Sequence, residues 1–215
     1  MANHRLGALR KNSLQSAIRL EVVSLVWVLA ETVVSGVAAL QAGSIAISAF
    51  SLDSAIELIS GLVLLVRLYA EFNSGSDHVG ARFERIAAAI VGACLFTLSG
   101  WIAFKSGQAL AAAQAVGVSR LGIVIAALSS VITPWLAREK RRLGLLLDSH
   151  ALLGDAACSA TCGYMAWTLL AGLLLQSLLG WWWVDAVAAL GILYFVIQEA
   201  WESAVAAWTG SSHAH

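Results

Sequence analysis

Six stretches of this chain are each long and apolar enough to cross a lipid bilayer, and nothing else in the sequence restricts the fold as much. A helix needs about 20 consecutive, mostly apolar residues to cross the hydrocarbon core. Runs of that kind fall at about 20–40, 44–66, 86–106, 118–137, 145–178 and 183–206. Lipid offers no partners to backbone N–H and C=O groups, so such runs become helices. The expected fold is an all-α membrane protein with six transmembrane helices, a single domain over residues 1–215 with no soluble domain. Composition agrees: 60% of the residues are hydrophobic and only 12% are charged, a balance suited to lipid rather than water. The formal net charge of zero removes the electrostatic case for nucleic acid as a partner. Cys94, Cys158 and Cys162 are odd in number and lie in apolar stretches, so no disulfide framework is expected. The first run outlasts the roughly 7–15 apolar residues of a signal peptide, so it reads as a retained helix.

Basic residues orient the spans. Arg5, Arg10, Lys11 and Arg19 precede the first, and Arg67, Arg82 and Arg85 surround the link between the second and third. Arg138, Lys140, Arg141 and Arg142 stand between the fourth and fifth, whereas Lys105 and Arg120 alone fall on the opposite side. Eleven of the 13 basic residues thus share one side, which the positive-inside rule makes cytoplasmic, together with both termini. Trp181–Trp183 then mark the outer interface, and Trp135, Trp201 and Trp208 suit the inner one. The stretch 70–84 is the one polar loop of any length.

Against this background the acidic residues stand out. Asp53 and Glu57 lie near the middle of the second span, four positions apart and therefore on one helix face. An acid at the bilayer centre costs about 2.5–3.5 kcal/mol on the insertion scale, so two on one helix point to a functional site. The fifth span carries Asp148 and Asp155, seven apart on one face, with Cys158 and Cys162 continuing the stripe beyond Asp155. Asp148 is near the cytoplasmic end, where it also suits a solvated helix start. His150 lies well round the helix from Asp155, and the cysteines suit packing as well as soft ligation. Glu31 in the first span is a further ligand, proton carrier or hydrogen-bond acceptor. Asp185 favours the start of the sixth helix, and Glu199 and Glu202 near its inner end are expected to reach water.

Carboxylates from facing helices can form an oxygen-rich site for a divalent cation. Asp53, Glu57 and Asp155 together over-neutralise a doubly charged ion, and protons can offset the excess when the ion leaves. An intramembrane hydrolase using Cys158 and His150 is disfavoured, because the two side chains diverge around the helix and no oxyanion-hole motif is visible. No enzyme activity is expected.

These residues also resemble a known family. "GSIAISAFSLDSAIELISG" looks like the second helix of the cation diffusion facilitators, with their D-x-x-x-[DE] metal motif on Asp53 and Glu57. "LDSHALLGD" is similar to their fifth helix, where A-D-x-x-H-x-x-x-D places family acids on Asp148 and Asp155, and "WVDAVAALGI" to the start of their sixth, with its acid on Asp185. The closest likeness is to the short branch ending after helix six, without the cytoplasmic metal-sensing domain, whose first helix carries a Glu at the place of Glu31. One departure matters: the histidine position of the fifth helix holds Ala151, leaving water, His150 or Cys158 as a fourth ligand. Asp77 and His78 stand where some members place a secondary site, although they read as an ordinary loop, and His213 and His215 as a bland tail.

The resemblance implies a homodimeric, multi-pass protein of a bacterial inner membrane, surrounded by lipid and without a prosthetic group. Its expected activity is export of a divalent transition-metal ion (Zn2+, or Mn2+, Fe2+, Co2+ or Cd2+) against protons by alternating access. The competing expectation is a non-transporting membrane subunit that grips a partner and retains a vestigial metal site.

Overall fold

A computed structural model describes residues 2–74, 81–113 and 116–209. Asp77, His78, His213 and His215, with the side chains of Arg5, Arg10, Arg82 and Arg85, lie outside the described residues. Six α-helices account for nearly all of the rest: α1 (Ala2–Ala42), α2 (Ile45–Ser74), α3 (Ala81–Ala111), α4 (Arg120–Leu147), α5 (His150–Leu179) and α6 (Val184–Thr209). All six are long and apolar enough to span a membrane.

Local chemistry sets the turns between them. Gly43 and Gly180 take left-handed backbone at φ +65° and +64°, closing the α1–α2 and α5–α6 hairpins where a side chain would be strained. Ser44 accepts from the Ile47 N–H at 3.0 Å, and Asp185, across the bundle on α6, takes the Ile45 N–H at 2.8 Å and the Ser44 hydroxyl at 2.5 Å. Asp185 therefore sits in the first turn of its own helix and also caps the N-terminus of α2.

Two boundaries differ from the sequence expectation. The run Arg138–Arg142 forms no link between spans. It is helical, and α4 continues past 137 to Leu147, where Asp148 at φ 53° and Ser149 make the turn into α5. Arg138, Arg141 and Arg142 point outward from this last part of α4 while Lys140 points inward, so a charged stretch still has a buried face. Trp135 is exposed on the outer surface of α4, between its two ends. Helix also reaches into both ends of the expected 70–84 loop, up to Ser74 and from Ala81.

α2 is the central helix, packing against α1, α3, α5 and α6, while α4 lies against α1 and α5. Close approach depends on small residues. A Cβ at Gly172 would stand 2.5 Å from that of Ala188, and one at Gly163 would stand 2.9 Å from the ring of Pro134 in α4. The interior divides into two apolar clusters. The larger includes Ile47, Phe50, Leu95, Ile102, Met165 and Ile192, and the smaller includes Leu14, Ile18, Leu64, Leu68, Leu147 and Leu152. Along α1, α2, α4 and α5 the buried charged residues fall between these clusters, forming a polar layer inside the bundle.

Candidate functional site

The layer is built from one face each of several helices. On α2, Asp53 and Glu57 are 2% and 6% exposed and point toward α5. On α5, Asp155, Ser159 and Cys162 follow at steps of four and three, which aligns them along the facing stripe. The Cys162 thiol lies 3.1 Å from Asp53 Oδ2 and 2.9 Å from Glu57 Oε2, and the Ser159 hydroxyl donates to Glu57 Oε1 at 2.8 Å. A thiol has a single proton, so it serves only one of those two carboxylates at a time.

Asp155 faces the same layer but has a different partner. Lys140 of α4, 1% exposed, brings its ammonium to 2.5 Å from Asp155 Oδ2, 3.2 Å from Glu21 Oε2 of α1 and 3.3 Å from Ser159 Oγ. Glu31, also on α1, accepts from the Ser54 hydroxyl at 3.2 Å. On α6, Glu199 accepts from the Cys158 thiol, and its Oε2 has no hydrogen-bond partner. Among the described residues, the buried layer thus sets six carboxylates (Glu21, Glu31, Asp53, Glu57, Asp155 and Glu199) against the ammonium of Lys140. So large a negative excess in a lipid-surrounded interior calls for protons or cations to offset it.

The sequence-derived candidates divide accordingly. Asp53 and Glu57 meet Cys162 and Ser159 at the α2–α5 contact, Asp155 is linked to them through Lys140 and Ser159, and Glu31 reaches α2 at Ser54. Asp148 is exposed at the α4–α5 turn as the C-cap of α4, and His150 is exposed in the first turn of α5, so neither lies in the layer. Ala151 packs against the smaller apolar cluster. Cys158 turns to Glu199, and Cys162 is the cysteine that reaches the α2 acids. Glu199 does not reach water as expected. It is buried, with its carboxylate turned toward the Cys158 thiol of α5 rather than toward solvent. Glu202 is exposed.

Sequence reasoning missed Glu21 and Lys140. Glu21 was legible as an acid at the edge of the first apolar run. Lys140 was masked by the arginines around it, and its place inside the bundle removes it from the interfacial basic residues. Among the described residues, no group of three or more His, Cys, Asp or Glu side chains could hold a metal ion as arranged. Cys162, Ser159 and Lys140 occupy the carboxylate oxygens that such a group would use.

Two comparisons bear on this geometry. The chain is 24% identical over 172 residues to an uncharacterized transporter from Synechocystis sp., an alignment covering 79% of this chain. It spans about half of that relative's length, 52%. Residues 22–208 match the cation efflux transmembrane domain, a range that takes in the second half of α1, all of α2 to α5 and nearly all of α6, and every carboxylate of the polar layer except Glu21. The chain therefore belongs to the cation efflux family, carrying the transmembrane domain of a cation transporter of the diffusion facilitator kind.

Proposed function

We propose that this protein exports a divalent transition-metal ion, zinc first, in exchange for protons, with Asp53, Glu57 and Asp155 as the ligands. The observation that carries this reading is the convergence of two buried α2 acids on one α5 thiol, where a single S–H faces two carboxylate oxygens. A divalent ion replacing that proton would neutralise both acids, and its binding would release whatever protons they held. Cys162 is the nearest additional donor and favours zinc or cadmium over manganese, since thiolates suit softer ions. In this reading the chain ends are cytoplasmic, the membrane is a bacterial inner membrane and the working unit is a homodimer. The ion enters between α2 and α5 from the cytoplasmic side, and rocking of the helices exposes the layer to the other face.

Proteoliposomes loaded with a zinc-sensitive dye test the proposal. Zinc flux should follow an imposed pH gradient and fall more than about tenfold in Asp53→Asn and in Glu57→Gln, since even outer-shell partners of a metal are worth 10–100-fold. Flux unchanged in both variants would overturn the site. The second reading, a non-transporting subunit with a vestigial site, draws on the same carboxylates already being engaged by Lys140, Ser159 and Cys162. Absence of zinc and manganese flux, with stoichiometric capture of a partner membrane protein, would favour it.

A further inference from the structure

Ion export as proposed gives no role to the ammonium held against one of its three ligands. Lys140 is fully buried, and an ammonium in such a place is tolerated only when paired. A single carboxylate would suffice, yet Lys140 has two on different helices: Asp155 on α5 at 2.5 Å and Glu21 on α1 at 3.2 Å. The longer contact has spare capacity. Glu21 Oε1 has no hydrogen-bond partner, its Oε2 faces the Lys140 ammonium, and Glu21 is 1% exposed. Its Oε1 lies beside Gly61, 2.9 Å from where a Cβ would be, one helical turn beyond Glu57 on α2. A small swing of a flexible side chain therefore takes the ammonium from a proposed metal ligand to a carboxylate awaiting donors. Ser159 stays behind, still donating to Glu57 at 2.8 Å.

We propose that Lys140 and the transported cation compete for Asp155, and that Lys140 moves onto Glu21 when the cation binds. This rests on the transport reading above. Two cations cannot share one buried carboxylate without strong mutual repulsion. The tethered ammonium therefore gives Asp155 a counter-charge whenever the ion departs, which weakens binding and favours release. Lys140 is in this sense a positioning residue: it does not touch the ion but sets the availability of a ligand, and Glu21 provides its alternative station.

The test is equilibrium Zn2+ binding to the purified full chain, alongside Zn2+ flux in proteoliposomes. Lys140→Gln should tighten Zn2+ binding by at least about fivefold while lowering maximal flux, because release loses its competitor. Glu21→Gln should weaken binding by a similar factor, because the ammonium is then confined to Asp155. A purely structural ion pair would move both variants the same way. Lys140→Arg should stay near the parent protein. The charge-balanced variant Glu21→Gln with Lys140→Gln should bind as tightly as Lys140→Gln, and it keeps the test open if the single change prevents folding. In an Asp155→Asn background the Lys140→Gln change should leave Zn2+ binding unaltered. Shifts of the same sign in Glu21→Gln and Lys140→Gln, or a Lys140→Gln effect that persists without Asp155, would overturn the competition. A parent protein that neither binds nor moves Zn2+ or Mn2+ would instead overturn the transport reading, and the competition with it.

Discussion

Cys162 stands between two acids with one proton to give, and its chemistry should govern which ions the layer prefers. Replacing sulfur by oxygen in Cys162→Ser keeps a donor of similar shape but hardens it. Under the proposed function, Cd2+ flux should fall by about tenfold or more while Mn2+ flux changes little, since soft donors select soft ions. Flux assays with the two ions in parallel check this, and an equal loss for both would place the thiol outside the ion's coordination. Glu199 offers a contrast at the same scale. One of its oxygens takes the Cys158 thiol and the other is unpartnered, so Glu199→Gln relieves a buried negative charge and keeps an acceptor. Its thermal midpoint in detergent should hold or rise, whereas Glu199→Ala leaves a cavity and should lower it.

At the scale of elements, contact between helices depends on a few positions with no room for a side chain. The sharpest is Gly172 against Ala188, where an added Cβ would meet another carbon at 2.5 Å with no flexible atom to yield. Gly172→Ala should therefore push α5 from α6 and cost about 1–3 kcal/mol, read as a lower unfolding midpoint in detergent. Gly61→Ala should cost less, because the atoms it meets are the ends of Leu25 and Glu21, which can rotate away. Helix identity was legible in the sequence because lipid-length apolar runs have few alternatives. Helix extent was less so. The end of α4 carries four basic residues in five, a pattern that reads as a link between spans until packing shows one of them facing inward. The α2 acids were plain because they interrupt an apolar run at helical spacing. Lys140 was obscured by like-charged neighbours, and Glu199 by its closeness to a helix end. Which of two cysteines faces α2 depends on the rotation of α5, and that is a tertiary property.

For the whole molecule, six successive helices return the chain to the end of the bundle where it began. Removing Lys140 from the interfacial basic residues still leaves most of the others beside that end, so reporter tags at the two termini should both be protected in sealed, right-side-out vesicles and exposed on lysis. Opposite accessibility of the two tags would refute the proposed orientation. The two apolar clusters on either side of the polar layer are unequal, the one toward the α4–α5 turn being smaller. Asp185 bears on how such a bundle can move. Its carboxylate is shared between the beginnings of two helices, so parting α6 from α2 at that end would break its hydrogen bonds to the Ser44 hydroxyl and the Ile45 amide together. The two helices are in effect riveted there, and a breach that admits water to the carboxylates from that end has to open along a seam other than the one between α2 and α6.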